Sequence, residues 1–136
     1  MKKIYQVVAG ILIRQSSILC GKRAHGFFSS KWEFPGGKIQ PGETKSEALR
    51  REIKEELDCD VNKSVFFLSS VAEKDDFIVH LDTYLINCNE DVPKANVHSE
   101  IKWIPISKLL EYDWCDADRI VVEHIFDLYS KKNFYL

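Results

Sequence analysis

A chain of 136 residues, 45% hydrophobic and 29% charged, is long enough for one domain with a sizeable core and ordinary for a soluble globular protein. Its net charge of −2 gives no electrostatic pull toward nucleic acid or an anionic membrane, so a phosphate ligand must be met by local basic groups or by metal ions. No stretch approaches the roughly 18 apolar residues that span a bilayer, and Tyr5, Gln6 and Arg14 interrupt any signal-peptide core, which points to a cytoplasmic protein.

From Tyr5 to Ile13 the odd positions Tyr5, Val7, Ala9, Ile11 and Ile13 are all apolar, which predicts a strand with one buried face. Gln15 to Ser17 form a turn, and Ile18 to Lys22 read as the returning strand of a hairpin. A loop from His25 to Lys31 leads to a short extended piece, Trp32 to Phe34, which Pro35-Gly36-Gly37 interrupts. Thr44 followed by Glu47 is a capping-box signal, and Leu49, Ile53 and Leu57 give the helix from Lys45 to Leu57 a buried stripe.

Val65 to Val71 and Phe77 to Ile86 are rich in β-branched and aromatic residues and read as two strands joined by a turn at Glu73 to Asp76. Glu90 to Ser99 is a polar loop, Ile101 to Ile104 a short strand, and Asp118 to Tyr129 a C-terminal helix. With no repeat or linker, the order predicts a single α+β or α/β domain over residues 1–136 with a central mixed sheet. Cys20, Cys59, Cys88 and Cys115 lack C-x-x-C spacing and read as small buried hydrophobes in a reducing compartment.

The chemistry lies in the first helix. Glu52, Glu55 and Glu56 stand at i, i+3 and i+4, so their carboxylates share one face and repel each other. They also sit near the helix C-terminus, where the macrodipole disfavours anions. A hard cation relieves both conflicts, whereas three glutamates alone would suit an ordinary solvated face balanced by Arg50, Arg51 and Lys54. Gly36 and Gly37, just upstream, leave room for a backbone carbonyl to approach a metal.

Gly37 is followed by Glu43, Arg51-Glu52, Ile53 and Glu55-Glu56 at spacings that resemble the Nudix signature. VVAGILIR, KRAHGFFSSKWEFPGGKI and the late W-x-P pattern are similar to its MutT-like branch of oxidised-nucleotide and CTP pyrophosphohydrolases. Asp58 stands where the family usually has glycine, at a position that fits a left-handed helix cap. The resemblance implies a Nudix α/β/α sandwich. It also implies metal binding by the Gly36 carbonyl, Glu52, Glu55 and Glu56, with Arg51 orienting carboxylates and Glu43 bracing the loop.

By the same resemblance the cofactor is Mg²⁺, for which Mn²⁺ can substitute, and the partner is a nucleotide substrate rather than nucleic acid or membrane, met by a monomer or homodimer. The reaction would release a nucleoside monophosphate and pyrophosphate, with Glu56 activating water. The family's later glutamate slot is occupied by Val97, and nearby Glu100 reads either as base or extra ligand or as a surface charge. Arg23 and Lys38 are candidate phosphate contacts. Asp118 is either a base reader or an ordinary N-cap. As an ionised acceptor it suits cytosine N4, and as a protonated acid it imitates asparagine and suits an oxidised guanine.

Phe27, Phe28 and Trp32 are candidates for base stacking or for the core. His25 is a possible phosphate neighbour, while His80, His98 and His124 read as polar positions without metal spacing. Two competing functions remain from the sequence: hydrolysis of another nucleoside diphosphate derivative, and a non-catalytic ligand-sensing module.

Overall fold

The computed structural model describes residues 1–26 and 28–131. Its elements are β1 (Lys3–Arg14), β2 (Ser17–Lys22), β3 (Trp32–Glu33), β4 (Gly36–Lys38), α1 (Lys45–Leu57), β5 (Lys63–Glu73), β6 (Phe77–Asn87), β7 (Glu100–Pro105), a 3₁₀ helix (Ile106–Glu111) and α2 (Asp116–Ser130). β1 is the organising strand. It runs parallel to β6 from Lys3 to Leu12 and antiparallel to β4 at Val7 to Ala9. β5 lies outside β6 with a bulge between Phe66 and Leu68. At its far end β1 turns into β2 through Gln15 and Ser16, both at positive φ (52° and 62°), as a two-residue hairpin turn requires. β2 then pairs with β7 along its length and with β3 near its end.

The expectation of one buried face on β1 was too narrow. Val8 and Leu12 are as buried as Ala9 and Ile11, because helices cover both faces. Ala48, Leu49, Ile53 and Leu57 of α1 pack with Val8, Leu12, Leu19 and Ile86. On the other side, Val121, Val122 and Ile125 of α2 pack with Ala9, Ile11, Leu81 and Trp114. A strand in a parallel pair between helices must be apolar on both sides, and the even positions Val8, Gly10 and Leu12 meet that demand. At Gly10 a Cβ would stand only 2.6 Å from Ile86 and 3.3 Å from Ile53, so the glycine sets how closely α1 approaches the sheet. The result is the expected α/β/α arrangement with a mixed central sheet.

The predicted capping box at the start of α1 is present. The Glu47 N–H donates to Thr44 Oγ1 at 3.1 Å, and the Thr44 N–H donates back to Glu47 at 2.9 Å. At the other end Asp58 is the left-handed cap (φ 57°), and its N–H donates to Lys54 O at 3.0 Å. Asp58→Gly should therefore raise the melting temperature by a few degrees without changing activity. A lower melting temperature would mean that the Asp58 ion pairs with Lys54 and Lys94 outweigh the backbone cost.

The polar loop between β6 and β7 has a defined seat. Lys94 N–H donates to Leu57 O at 2.9 Å, while Asn96 gives its backbone N–H to Glu56 O and its side-chain amide to Glu55 O, each at 3.1 Å. These bonds satisfy carbonyls that the end of a helix leaves without partners. The loop is thereby fastened to the carboxylate-bearing end of α1. α2 begins at Asp116, two residues before the predicted start, and its N-cap is Cys115. Asp118 is thus no N-cap, and its side chain has other partners.

Candidate active site

Between the end of α1, the β3–β4 segment and the start of α2 lies a cavity of about 470 Å³. One end is carboxylate-rich. Glu52 and Glu56 project into it from α1 beside Gly36 and Gly37 of β4. Glu56 Oε1 accepts the Gly36 N–H at 3.0 Å. A Cβ at Gly37 would sit 2.4 Å from the Glu52 carboxyl, and one at Gly36 would sit 2.0 Å from Val8 O. Both glycines are required by close approach: Gly37 to the acid, Gly36 to β1.

Arg51 assembles this end without lining the cavity. Its Nε and Nη2 donate to the two oxygens of Glu43 at 2.7 and 2.9 Å, Nη1 donates to Glu52 at 2.8 Å, and Nη2 also reaches Lys38 O at 3.0 Å. The hydrogen bonds from Arg51 and from the Gln40 N–H hold Glu43 down at a pKa of about 2. This is the planar-fork recognition that lysine cannot reproduce. Arg51→Lys should lower the melting temperature by several degrees and kcat/KM by roughly tenfold. A silent substitution in both assays would show that charge alone suffices.

Glu56 is only 14% exposed at its side chain. Burial raises its pKa to about 7, with Glu33 and Glu52 adding to the rise and His98 and the Gly36 N–H opposing it. A proton acceptor in that range is well matched to neutral pH.

The other end is built from Arg23, Glu33, Phe34 and Asp118. Asp118 is buried and accepts the Phe34 N–H at 2.9 Å. Burial pushes its carboxyl well up, and the neighbouring charge of Glu33 pushes it further. Arg23 Nη1 donates to Glu33 Oε1 at 2.9 Å. Phe28 and Phe77 meet edge to face near the mouth, with Lys74 over the Phe28 ring and Lys38 over Tyr5.

The structure brings Gly36, Glu52, Glu56, Arg23, Lys38 and Asp118 around one cavity. Glu55 does not line the cavity; it is 56% exposed and tied to Arg51 at 3.4 Å. Glu100 is exposed at the first residue of β7 and does not line the cavity. Phe28 lines the cavity, Trp32 belongs to the core, and Phe27 lies outside the described residues. His25 is exposed, His80 lies 3.6 Å from Asp82, and His124 rests against Phe67.

Two residues escaped the sequence reading. Glu33 is the inner acid of the cavity, and His98, read as an unremarkable polar position, is a buried neighbour of both Glu33 and Glu56. Burial opposes a charge on His98, but the hydrogen bond to Glu33 and the proximity of Glu56 outweigh it and raise its pKa.

Among the described residues no three His, Cys, Asp or Glu side chains already converge as a complete metal cage. The donor set nevertheless fits a hard divalent cation. Two acids on one cavity wall, Glu52 and Glu56, offer oxygen only, and Mg²⁺ usually binds through one or two carboxylates while keeping waters and substrate phosphate.

The chain is 31% identical over 122 residues to a CTP pyrophosphohydrolase of Escherichia coli K12, covering 89% of this chain and 90% of that one. It is 32% identical over 120 residues to a putative 8-oxo-dGTP diphosphatase 2 of Mycobacterium tuberculosis (strain CDC 1551 / Oshkosh), covering 83% and 82%. The solution structure of the E. coli ORF135 protein superposes with a TM-score of 0.83 at 29% identity, over 96% of this chain and 94% of that one. The NUDIX domain family model matches residues 4–125, and the chain therefore belongs to the Nudix family.

Proposed function

We propose that this chain is a Mg²⁺-dependent pyrophosphohydrolase that cleaves a (deoxy)nucleoside triphosphate to the monophosphate and pyrophosphate, with a CTP/dCTP-type or 8-oxo-dGTP-type base. One observation carries the reading: a single cavity is lined by the carboxylates Glu52 and Glu56 beside Gly36 and Gly37, and by Glu33, Asp118 and the aromatic rings of Phe28, Phe34 and Phe77. That is the polarity of a nucleotide, with phosphates on one side and base on the other. The relatives named for CTP and for 8-oxo-dGTP support both base classes.

Glu52 and Glu56, joined by the Gly36 carbonyl and by Glu55, would hold the metal. When bound, Mg²⁺ supplies neutralisation of phosphate charge and a lowered pKa for coordinated water. Arg51 fixes the Glu52 carboxylate through their 2.8 Å bond. Glu56 takes the proton of the attacking water on Oε2, because Oε1 already accepts from Gly36. Lys38 meets phosphate oxygens, while Arg23, bonded to Glu33, lies in the recess assigned to the base and orients that acid.

Glu33 and Asp118 read the base. With the Asp118 carboxyl pushed up beside Glu33, the pair presents one proton donor and one acceptor side by side. A cytosine edge offers N3 as acceptor and N4 as donor, while an oxidised guanine offers O6 and N1–H, so the pair complements either. A panel of 8-oxo-dGTP, dCTP, CTP, 5-methyl-dCTP and ADP-ribose with Mg²⁺, followed by chromatography of the nucleoside monophosphate formed and by pyrophosphate release from the triphosphates, tests the proposal. Turnover of a triphosphate to monophosphate plus pyrophosphate is expected. Absence of turnover on every substrate overturns the reading, and turnover of ADP-ribose alone overturns the substrate class.

A further inference from the structure

His98 stands behind the cavity wall, between Glu33 of one end and Glu56 of the other. Its side chain is 2% exposed, and Nε2 lies 3.0 Å from Glu33 Oε2 and 4.0 Å from Glu56 Oε1. The opposite oxygen of Glu33 accepts from Arg23, and Glu56 Oε1 also accepts from the Gly36 N–H. Hydrogen bonds therefore link Arg23, Glu33 and His98, and the ring ends 4.0 Å from the Glu56 carboxylate that Gly36 holds, between the recess assigned to the base and the end assigned to the metal.

The surrounding chain is arranged to hold this ring in place. Two residues before it, Asn96 is bonded to the carbonyls of Glu55 and Glu56 at the end of α1. One residue after it, the Ser99 N–H donates to Lys22 O at 3.0 Å at the end of β2. The ring lies on Gly21, where a Cβ would come within 2.4 Å of Cδ2. The backbone thus fixes His98 from both sides, and a glycine beneath makes the space.

Its hydrogen-bonding state argues against simple packing. Nδ1 is buried and has no hydrogen-bond partner among the described residues. A histidine placed only to satisfy the interior would pair both ring nitrogens, or an apolar side chain would fill the space at no desolvation cost. Here all the polar contact is made by Nε2, which faces two carboxylates and so carries the hydrogen.

We propose that His98 is a positioning residue that couples base recognition to catalysis, holding Glu33 and Glu56 in register through a single nitrogen. The proposal rests on the nucleotide reading of the cavity. Glu33 reads the base correctly only while His98 Nε2 restrains it, and the same ring, 4.0 Å from Glu56 Oε1, limits how far that carboxylate can move toward it. Base discrimination and turnover number are then linked through a group that touches neither the base nor the phosphates.

The test uses His98→Gln, whose amide nitrogen reaches the position of Nε2, and His98→Leu, which fills the space without a donor. Two readouts are needed: kcat and KM on CTP, dCTP and 8-oxo-dGTP with Mg²⁺, and calorimetric binding of CMP and 8-oxo-dGMP in EDTA. For His98→Leu we expect kcat to fall roughly tenfold and the metal-free preference between the two monophosphates to shrink by a similar factor. His98→Gln should restore both, and in a Glu33→Gln background the effect of His98→Leu on preference should vanish.

If His98→Leu does not fold, His98→Asn takes its place, because its amide reaches only the position of Nδ1. Asn impaired and Gln restored supports the proposal. An active wild type with a donorless variant unchanged in kcat and preference overturns the His98 role alone, as does a Gln variant as impaired as Leu. A wild type that neither hydrolyses any triphosphate nor binds either monophosphate overturns the nucleotide reading and the His98 role together.

Discussion

Glu56→Gln should lower kcat by roughly a thousandfold while making the metal-free protein more stable. Both effects come from one carboxyl group. Burial, aided by Glu33 and Glu52, raises its pKa from 4.5 to about 7. An acid whose folded pKa is raised contributes its stability in full below the ordinary value and loses it as pH rises through the folded value. In EDTA the wild type should therefore weaken between pH 4.5 and about 7 relative to the glutamine variant, and the gap should stay constant above that. Its size should be about 2 kcal/mol, below the full linkage value because the side chain retains some solvent contact. Glutamine preserves the acceptor for the Gly36 N–H, so the local fold survives.

Adding Mg²⁺ should then stabilise the wild type more than the variant, since only the wild type gains the full ligand set. Urea melts in EDTA at pH 5 and pH 8, with kcat measured alongside, decide the matter. Retained turnover would remove Glu56 from the chemistry. A variant less stable than wild type at pH 8 would mean that its buried carboxylate is better solvated than its position implies.

The carboxylate end of the site was readable because it is local. Glu52, Glu55 and Glu56 share a helix with Arg51, and strand β4 with Gly36 and Gly37 and the loop with Glu43 directly precede it, so spacing alone brings most of them together. Glu55 shows the limit of that argument: it shares the helical face yet does not line the cavity, and pairs with Arg51 instead. The recess was harder to read. Glu33 belongs to a strand of two residues whose partners lie on β2, and its burial depends on α2 and the His98 loop arriving from far along the chain. One signal was available: a lone acid between Trp32 and Phe34 is an odd choice in so apolar a run. His98 had none, because its importance comes from a loop docked onto α1 by Asn96. β1 was misread for a simpler reason. Attention to its odd positions hid the fact that Val8, Gly10 and Leu12 also suit a buried face.

The second large effect is expected at Asp118, where two substitutions separate recognition from folding. Asp118→Ala removes the acceptor for the buried Phe34 N–H and should cost about 2 kcal/mol of stability. It should also change the ratio of kcat/KM between dCTP and 8-oxo-dGTP by about tenfold or more, as loss of one well-placed base contact does. Asp118→Asn keeps the shape and the acceptor, so the Phe34 bond should persist. Because burial and Glu33 push the Asp118 carboxyl well up, the wild type should lose stability as pH rises from its ordinary range through the raised value. The asparagine variant lacks that loss and should become progressively more stable than wild type toward alkaline pH. Recognition should follow the same logic. While Asp118 holds its proton it resembles asparagine, and the two proteins should prefer the same base. Once it ionises the pair loses its donor, so the substrate ratio of the wild type alone should shift with pH. If the alanine variant leaves the substrate ratio unchanged, Asp118 does not read the base. If the wild-type ratio is flat with pH while the alanine ratio moves, Asp118 reads the base without changing its protonation.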